Sequence, residues 1–198
     1  MIGIIDYGAG NLFSLKNALD FLGLASVVTS SADEIRKADR LILPGVGAFP
    51  DAMKMLEASG LTETILQEAA RKPLLGICLG MQMLFEYGYE FEKVKGLSLI
   101  PGEVSLIEAP GLKIPHMGWS DVKIENSCPL SEGIKEGDRF YYVHSYKAVT
   151  DQRYVSLYSE YGEYIPGLVF SGSVYGTQFH PEKSGEIGLK ILRNFWAL

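Results

Sequence analysis

Cysteine, histidine, long apolar segments and runs of like charge are all scarce in this sequence. The 198 residues include two cysteines and three histidines, and none of them forms a cluster with carboxylates at metal-ligand spacing. No apolar stretch approaches the ~20 residues of a membrane-spanning helix, and the N-terminus lacks a signal-peptide pattern. Basic residues never form a run and the net charge is −6, which argues against nucleic-acid binding. These absences predict a cytoplasmic protein without a metal, another cofactor, a nucleic-acid partner or a membrane segment.

The composition is that of a globular protein, with 47% hydrophobic and 21% charged residues. A chain of this length suits one domain with a substantial core, so residues 1–198 are predicted to form a single domain. In the first half, short apolar runs alternate with amphipathic stretches, as in β-α units on a parallel sheet. Strands are predicted at 2–5, 25–29, 40–43 and 73–77, and helices at 11–22, from a capping box at 31–34 onward, and over 53–66. A loop that interrupts the regular secondary structure is predicted at 44–47.

The second half is richer in strands, which are predicted at 104–107, 121–124, 140–144, 154–158, 168–170 and 174–179. A final helix is predicted over 184–196. Together these elements predict an α/β architecture, a largely parallel sheet with helices on both faces and an antiparallel extension.

The segment from Gly76 to Gly80, Gly-Ile-Cys-Leu-Gly, has the G-x-C-x-G form of a nucleophile elbow between a strand and a helix. Such a turn strains the backbone at the nucleophile, and flanking glycines let neighbouring segments approach closely. The start of a helix at Cys78 favours the thiolate. The alternative is a small buried hydrophobe, as most free cysteines are. Cys128, beside Pro129 in a predicted surface loop, is interpreted as incidental.

A thiol nucleophile in acyl transfer needs a base, usually histidine. His180 follows the predicted strand 174–179, and parallel sheets build their sites at the carboxyl ends of strands, where Cys78 also lies. Glu182 comes two residues later, across a proline, at a spacing that suits a carboxylate orienting the imidazole. A surface His-Pro-Glu turn is the alternative for this tripeptide alone. Taken with the elbow, these residues predict a triad of Cys78, His180 and Glu182.

Acyl transfer also needs hydrogen-bond donors for the tetrahedral oxyanion. The backbone N–H of Leu79, the residue after the nucleophile, is one candidate. The loop Pro44–Gly47, Pro-Gly-Val-Gly, follows a strand at the same sheet edge, and its glycines permit the unusual φ values that turn an amide toward a substrate. A plain glycine-rich turn is the alternative for this loop.

These motifs resemble those of the class I, or triad, glutamine amidotransferases, which combine a G-x-C-x-G elbow with a later His-x-Glu pair. Four stretches, Asp6–Asn11, Pro44–Gly47, Pro115–Trp119 and His180–Ser184, are similar within that family to the glutaminase subunits of imidazole glycerol phosphate synthases. The resemblance implies a flavodoxin-like fold and hydrolysis of L-glutamine through a thioester on Cys78. It also implies a heterodimer in histidine biosynthesis, in which ammonia passes to a (β/α)8-barrel cyclase subunit.

The resemblance also implies roles for individual residues. The oxyanion amides are those of Val46 and Leu79. The glutamine contacts are Gly47, Gln82, Glu90, Ser145 and Tyr146, and an amide on the helix surface is the alternative for Gln82. The partner contacts are Asn11, His116, Met117, Trp119 and Lys183, with His116 interpreted as structural or interfacial and His144 as structural. A solvated lysine is the alternative for Lys183. Ser120 departs from the family pattern, because asparagine commonly follows the Pro-His-Met-Gly-Trp motif.

Three other functions compete with this one. Glycines in the loop Asp6–Asn11 suggest a phosphate-binding turn, but the third glycine of G-x-G-x-x-G would fall at Phe13 and no Walker lysine occurs. A catalytically idle scaffold requires every motif to be coincidental. The glutaminase subunit of pyridoxal phosphate synthase is the nearest enzymatic alternative, but is expected to lack the Pro115–Trp119 segment.

Overall fold

A computed structural model describes residues 1–198. Strands and helices alternate in the first half: β1 (Ile2–Ile5), α1 (Leu12–Phe21), β2 (Ser26–Thr29), α2 (Ala32–Lys37), β3 (Arg40–Gly45), α3 (Phe49–Ala58), α4 (Thr62–Ala69), β4 (Leu74–Cys78) and α5 (Leu79–Gln82). Strands dominate the second half: β5 (Tyr87–Gly88), β6 (Val94–Lys95), β7 (Glu103–Leu106), β8 (His116–Asp121), β9 (Lys123–Ile124), β10 (Arg139–His144), β11 (Tyr146–Val149), β12 (Val155–Glu160), β13 (Tyr164–Ser171) and β14 (Val174–Thr177). Helix α6 (Gly185–Ala197) closes the chain.

The main sheet has eight strands in the order β2-β1-β3-β4-β14-β13-β12-β9. The five strands from β2 to β14 are parallel, and β13, β12 and β9 extend the sheet in antiparallel fashion. With β14 as the fifth parallel strand, the order is that of flavodoxin-like folds, which bind ligands at the carboxyl ends of their strands. The predicted architecture is therefore confirmed.

Two hydrophobic cores lie on the two faces of this sheet. Helices α1 and α6 contribute Leu15, Leu19 and Phe195 to one core. Helices α2, α3 and α4 contribute buried apolar side chains to the other, among them Leu56 and Ile65. Strand residues alternate between the cores, and burying both faces explains why the parallel strands read as continuous apolar runs.

Two smaller sheets complete the fold. Strands β8 and β10 form an antiparallel ribbon in which His116 pairs with His144. The other sheet has the order β11-β7-β5-β6. Because β10 leads into β11 through the single residue Ser145, the ribbon and the four-stranded sheet meet beside that residue.

The predicted strands of the first half and the helices α1 and α2 are confirmed to within two residues. The segment 53–66 is divided between α3, which begins four residues earlier, and α4, which ends three residues later. Three local predictions are wrong. Strand β3 continues through Pro44, because β1 pairs with it only as far as Ile42 and the ladder on that side has already ended. Ser31 precedes α2 without a side-chain capping bond. Cys128 is buried in a hydrophobic core and does not lie in a surface loop.

Candidate active site

Cys78 is the last residue of β4 and lies at the start of α5. Its backbone has φ 55° and ψ −112°, a conformation that non-glycine residues rarely adopt. The prediction of a strained turn at this cysteine is confirmed. Strain of this kind persists only where surrounding structure holds it, and it is concentrated at functional sites.

The flanking glycines are required by close backbone contacts. A Cβ atom on Gly80 would lie 1.9 Å from the carbonyl oxygen of Leu43 in β3. A Cβ atom on Gly76 would lie 2.6 Å from the carbonyl oxygen of Gly80. Both distances are far below any real contact, so the elbow closes against β3 only with glycine at both positions.

Helix α5 spans only four residues, Leu79–Gln82. A single turn has a weaker macrodipole than the longer helix the motif predicts, so less stabilisation of a thiolate comes from this source. The N–H of Leu79, at the first helical position, has no intrahelical partner. It is therefore free to donate beside the Cys78 sulfur.

His180 lies three residues beyond β14, on a loop tied to the ribbon. Its N–H donates to the carbonyl oxygen of Tyr141 at 2.9 Å. The Ser184 hydroxyl donates to the carbonyl oxygen of His180 at 2.6 Å and accepts from the Tyr141 N–H at 2.9 Å. These three bonds fix the backbone on both sides of the imidazole, and Ser184 is a contributor that sequence reasoning did not single out.

The sulfur, imidazole and carboxylate meet in the fold. Nδ1 of His180 lies 2.8 Å from Oε1 of Glu182, and both side chains are almost fully buried. Burial lowers the pKa of His180, but hydrogen bonds and charges of Cys78 and Glu182 outweigh burial and raise the pKa to about 10. The charged imidazolium form of His180 is thus favoured. The other oxygen of Glu182, Oε2, is buried without a hydrogen-bond donor from the chain.

A cavity of about 360 Å³ opens beside the sulfur. Twelve residues line it, and nine of them carry predicted roles: Val46, Gly47, Cys78, Leu79, Gln82, Glu90, Ser145, Tyr146 and His180. The volume lies within the range of small-molecule sites. The predicted residues thus come together around one pocket, although they are spread over the chain from β3 to the loop after β14.

Three lining residues were not predicted as part of a site: Pro115, Val143 and His144. Val143 and His144 belong to β10, and Pro115 immediately precedes β8. The carbonyl oxygen of Val143 lies 3.8 Å from the Cys78 sulfur. The sequence gives one indication of this part of the pocket wall, which is the pairing of two short strands that each carry a histidine. For the first of these strands the indication is only a weak alternation of inward and outward positions in 116–121.

The predicted glutamine contacts are held by the chain itself. Gln82 is buried, and its Nε2 donates to the carbonyl oxygen of Tyr146 at 2.8 Å and to Oε1 of Gln178 at 3.1 Å. Oε2 of Glu90 accepts from the N–H of Phe49 at 2.7 Å. Each side chain is therefore fixed in orientation at the cavity wall.

The glycine-rich loops differ in how they are packed. A Cβ atom on Gly10 would lie 3.2 Å from the Pro44 ring, so the loop after β1 packs against β3. Gly47 has φ +102° with no heavy atom near its Cβ direction, and the N–H of Val46 has no partner in the chain. The loop after β3 is thus the one that presents a free amide, at the cavity that Cys78 also lines.

Residues 3–198 match the family model for class-I glutamine amidotransferases. The chain belongs to this family. The amidotransferase is 52% identical to the imidazole glycerol phosphate synthase subunit HisH of Bacillus thuringiensis (strain Al Hakam) over 197 residues, 98% of this chain and 93% of the relative. HisH of Bacillus anthracis (strain A0248) matches with the same identity and coverage.

Solved structures share the fold of this amidotransferase at lower identity. PurLQS from Thermotoga maritima superposes with a TM-score of 0.76 at 21% identity, covering 98% of this chain and 96% of that one. A crystal structure of a glutamine amidotransferase gives a TM-score of 0.76 at 19% identity with the same coverage. At these identities the likeness describes the fold alone.

The predicted partner contacts of the amidotransferase divide by exposure. Met117 and Trp119 are 62% and 47% exposed on β8, and Lys183 is exposed beside Glu182. Asn11 is half-buried and caps α1, accepting at Oδ1 from the Ser14 N–H. His116 is only 1% exposed, which favours the structural of the two roles predicted for it. No helix of the chain is both long and apolar enough to cross a membrane.

Proposed function

We propose that the chain is the glutaminase subunit of an imidazole glycerol phosphate synthase, hydrolysing L-glutamine and delivering ammonia to a cyclase subunit. The observation that carries this proposal is that Cys78 and His180 line one cavity, with Glu182 2.8 Å from Nδ1 of His180, in a chain 52% identical to a HisH protein. We propose as well that residues 1–198 fold as one domain and act in the cytoplasm.

The first half-reaction forms a thioester. The Cys78 thiolate attacks the side-chain amide carbon of glutamine, and the oxyanion accepts hydrogen bonds from the N–H groups of Val46 and Leu79. The imidazolium of His180 then donates its Nε2 proton to the departing nitrogen, so the C–N bond breaks and ammonia leaves. Glu182 holds Nδ1 at 2.8 Å, which directs Nε2 toward the sulfur.

The second half-reaction regenerates the enzyme. Neutral His180 takes a proton from water, which attacks the thioester carbon while the same two amides bind the oxyanion. The C–S bond breaks, glutamate forms and the thiolate returns. The Glu90 carboxylate suits the α-ammonium group of glutamine by charge, and Gln82, Gly47, Ser145 and Tyr146 complete the pocket around the substrate.

Ammonia must stay unprotonated to act as a nucleophile in a second enzyme. A closed path to a partner subunit meets this need. The exposed apolar side chains of Met117 and Trp119 offer the partner subunit a docking surface, and Lys183 and Asn11 are further proposed contacts. A (β/α)8-barrel cyclase is the partner that the HisH relatives favour over the synthase of pyridoxal phosphate.

A glutaminase assay tests the proposal. Glutamate release is measured for the wild type, for Cys78→Ala and for Cys128→Ala, each with and without a cyclase subunit and its nucleotide ligand. We expect release to rise in the full complex and to be lost in Cys78→Ala only. Cys128 is the matched control, because it is the other cysteine, is buried and lies outside the cavity. Persistent activity in Cys78→Ala contradicts the assignment.

A further inference from the structure

A chain of hydrogen bonds runs behind the pocket wall from β8 to the Tyr146 carbonyl. Oγ of Ser120 lies 2.7 Å from Nε2 of His116. Nδ1 of His116 lies 2.9 Å from Nε2 of His144. Nδ1 of His144 lies 2.8 Å from the carbonyl oxygen of Tyr146, which also accepts from Gln82. The proposed triad chemistry uses none of these three side chains.

The carbonyl oxygen of Tyr146, the last acceptor, fixes which atom donates in each of these hydrogen bonds. A carbonyl oxygen only accepts, so Nδ1 of His144 must carry the proton. In the neutral ring Nε2 of His144 is then an acceptor, which requires the proton on Nδ1 of His116. Nε2 of His116 is in turn an acceptor, and the Ser120 hydroxyl must donate to it.

The surroundings keep both rings neutral and in place. His116 stacks between Tyr142 and Tyr161, with ring centroids 4.7 Å and 4.0 Å away. Burial lowers the pKa of His116 to about 4 and that of His144 to about 3. At neutral pH these hydrogen bonds therefore have one set of proton positions, with His116 and His144 both in the Nδ1–H tautomer.

We infer that Ser120 and His116 are positioning residues, which hold His144 and the Ser145–Tyr146 wall of the pocket through this directed chain of hydrogen bonds. The role in glutamine binding rests on the proposed function, whereas the proton positions do not. Ser120 is half-buried and follows Trp119 on β8, so this series of hydrogen bonds begins next to the predicted partner surface. Serine at this position, where the family commonly has asparagine, supplies the donor that His116 needs.

Nitrogen-15 NMR tests the proton positions directly. The chain has only three histidines, so histidine-labelled protein gives three ring systems, assigned by single substitutions. We expect His116 and His144 to carry protons on Nδ1 alone, in the full-length chain at neutral pH. An Nε2–H tautomer of either ring overturns the inference, whatever the enzyme's activity.

Steady-state kinetics in the complex with a cyclase subunit and its nucleotide ligand test the positioning role. Ser120→Ala removes the donor, and His116→Phe keeps the aromatic stacking but removes the proton given to His144. We expect each to raise KM for L-glutamine about two- to ten-fold, the worth of one net hydrogen bond, with a smaller change in kcat. His116→Phe is expected to have the larger effect.

Two further variants separate positioning from general destabilisation. Ser120→Thr keeps the hydroxyl and is expected to restore the wild-type KM, and Ser127→Ala, an exposed serine elsewhere, is expected to leave it unchanged. An unchanged KM in both Ser120→Ala and His116→Phe overturns the role, and so does a KM in Ser120→Thr equal to that of Ser120→Ala. Wild-type protein with the expected tautomers but no glutaminase activity contradicts the proposed function and leaves the proton positions intact.

Discussion

Replacing Gly80 by alanine places a methyl group against the backbone of β3. Its Cβ atom would lie 1.9 Å from the carbonyl oxygen of Leu43 and 3.1 Å from the carbonyl carbon of Pro44. Ordinary contacts begin at 3.4 Å, so β3 and the elbow must separate by 1.5 Å, the difference between 3.4 and 1.9. Neither side has a flexible side chain that takes up this distance.

The cost has two parts. Overpacking in a close-packed interior costs about 1–3 kcal/mol. Because the added methyl group meets backbone atoms, we expect Gly80→Ala to lower the free energy of unfolding by about 3 kcal/mol, the upper end of this range. A displacement of about 1 Å at a catalytic constellation costs about 100-fold in rate, so we expect kcat for glutamine hydrolysis to fall by at least about 100-fold. The nucleophile and the Leu79 amide move together, because both belong to the elbow.

Urea denaturation and the glutaminase assay measure the two parts separately. Gly60→Ala is the matched control, because Gly60 has φ +71° with open space around its Cβ direction. It adds backbone strain of about 1 kcal/mol without a clash, and Gly60 is not among the residues that line the cavity beside Cys78. A Gly80→Ala protein with wild-type stability and activity refutes the reasoning that close packing against β3 builds the elbow.

Four other predictions follow from the geometry. Glu182→Gln removes the carboxylate charge behind the imidazole, and kcat should fall by at least about 100-fold at unchanged KM. Because the pKa of His180 is raised, this residue contributes its full stabilisation below about pH 6.5 and loses it as the pH rises through about 10. The Cys78 side chain is one cause of the raised pKa, so NMR titration should show a lower pKa of His180 in Cys78→Ala. Lys72 donates to three carbonyls around the end of α2, and Lys72→Met should cost about 2 kcal/mol in urea denaturation. Trp119→Ala should raise Kd for the cyclase subunit at least about tenfold by calorimetry.

Each of these has a clear opposing result. Wild-type kcat in the Glu182 variant denies the carboxylate a role in orienting the imidazole. A His180 titration near 6.5 in the wild type denies the influence of the neighbouring sulfur and carboxylate. Unchanged unfolding of the Lys72 variant denies that the carbonyls depend on the ammonium group. Unchanged affinity of the Trp119 variant moves the partner surface away from β8.

The fold was predictable where local pattern and tertiary structure agree. The parallel strands are buried on both faces, so β1 and β4 are apolar throughout, and α6 shows helical spacing of its buried side chains. The two-residue strands β5 and β6 carry too little pattern to recognise. Strand β8 was missed because its inward positions include His116 and Gly118, which do not read as an apolar face.

The elbow at Cys78 and the position of His180 were predictable because each has a structural requirement that is visible in the sequence. The elbow demands glycine at two fixed positions, and His180 follows a strand of a parallel sheet at its carboxyl end. The wall of the pocket has no such visible requirement. His144 reaches it through pairing with a distant strand, and the hydrogen bonds of Gln82 and Ser184 depend on where separate loops meet in three dimensions.

The two halves of the pocket belong to different pieces of the architecture. The Cys78 sulfur stands at the end of a strand of the parallel sheet, whereas Val143 and His144 on the cavity wall belong to the β8–β10 ribbon, which is a sheet of its own. Rebuilding the ribbon would therefore leave the strand and the turn that carry Cys78 unchanged, but it would alter the loop of His180, which hydrogen-bonds to Tyr141 of β10.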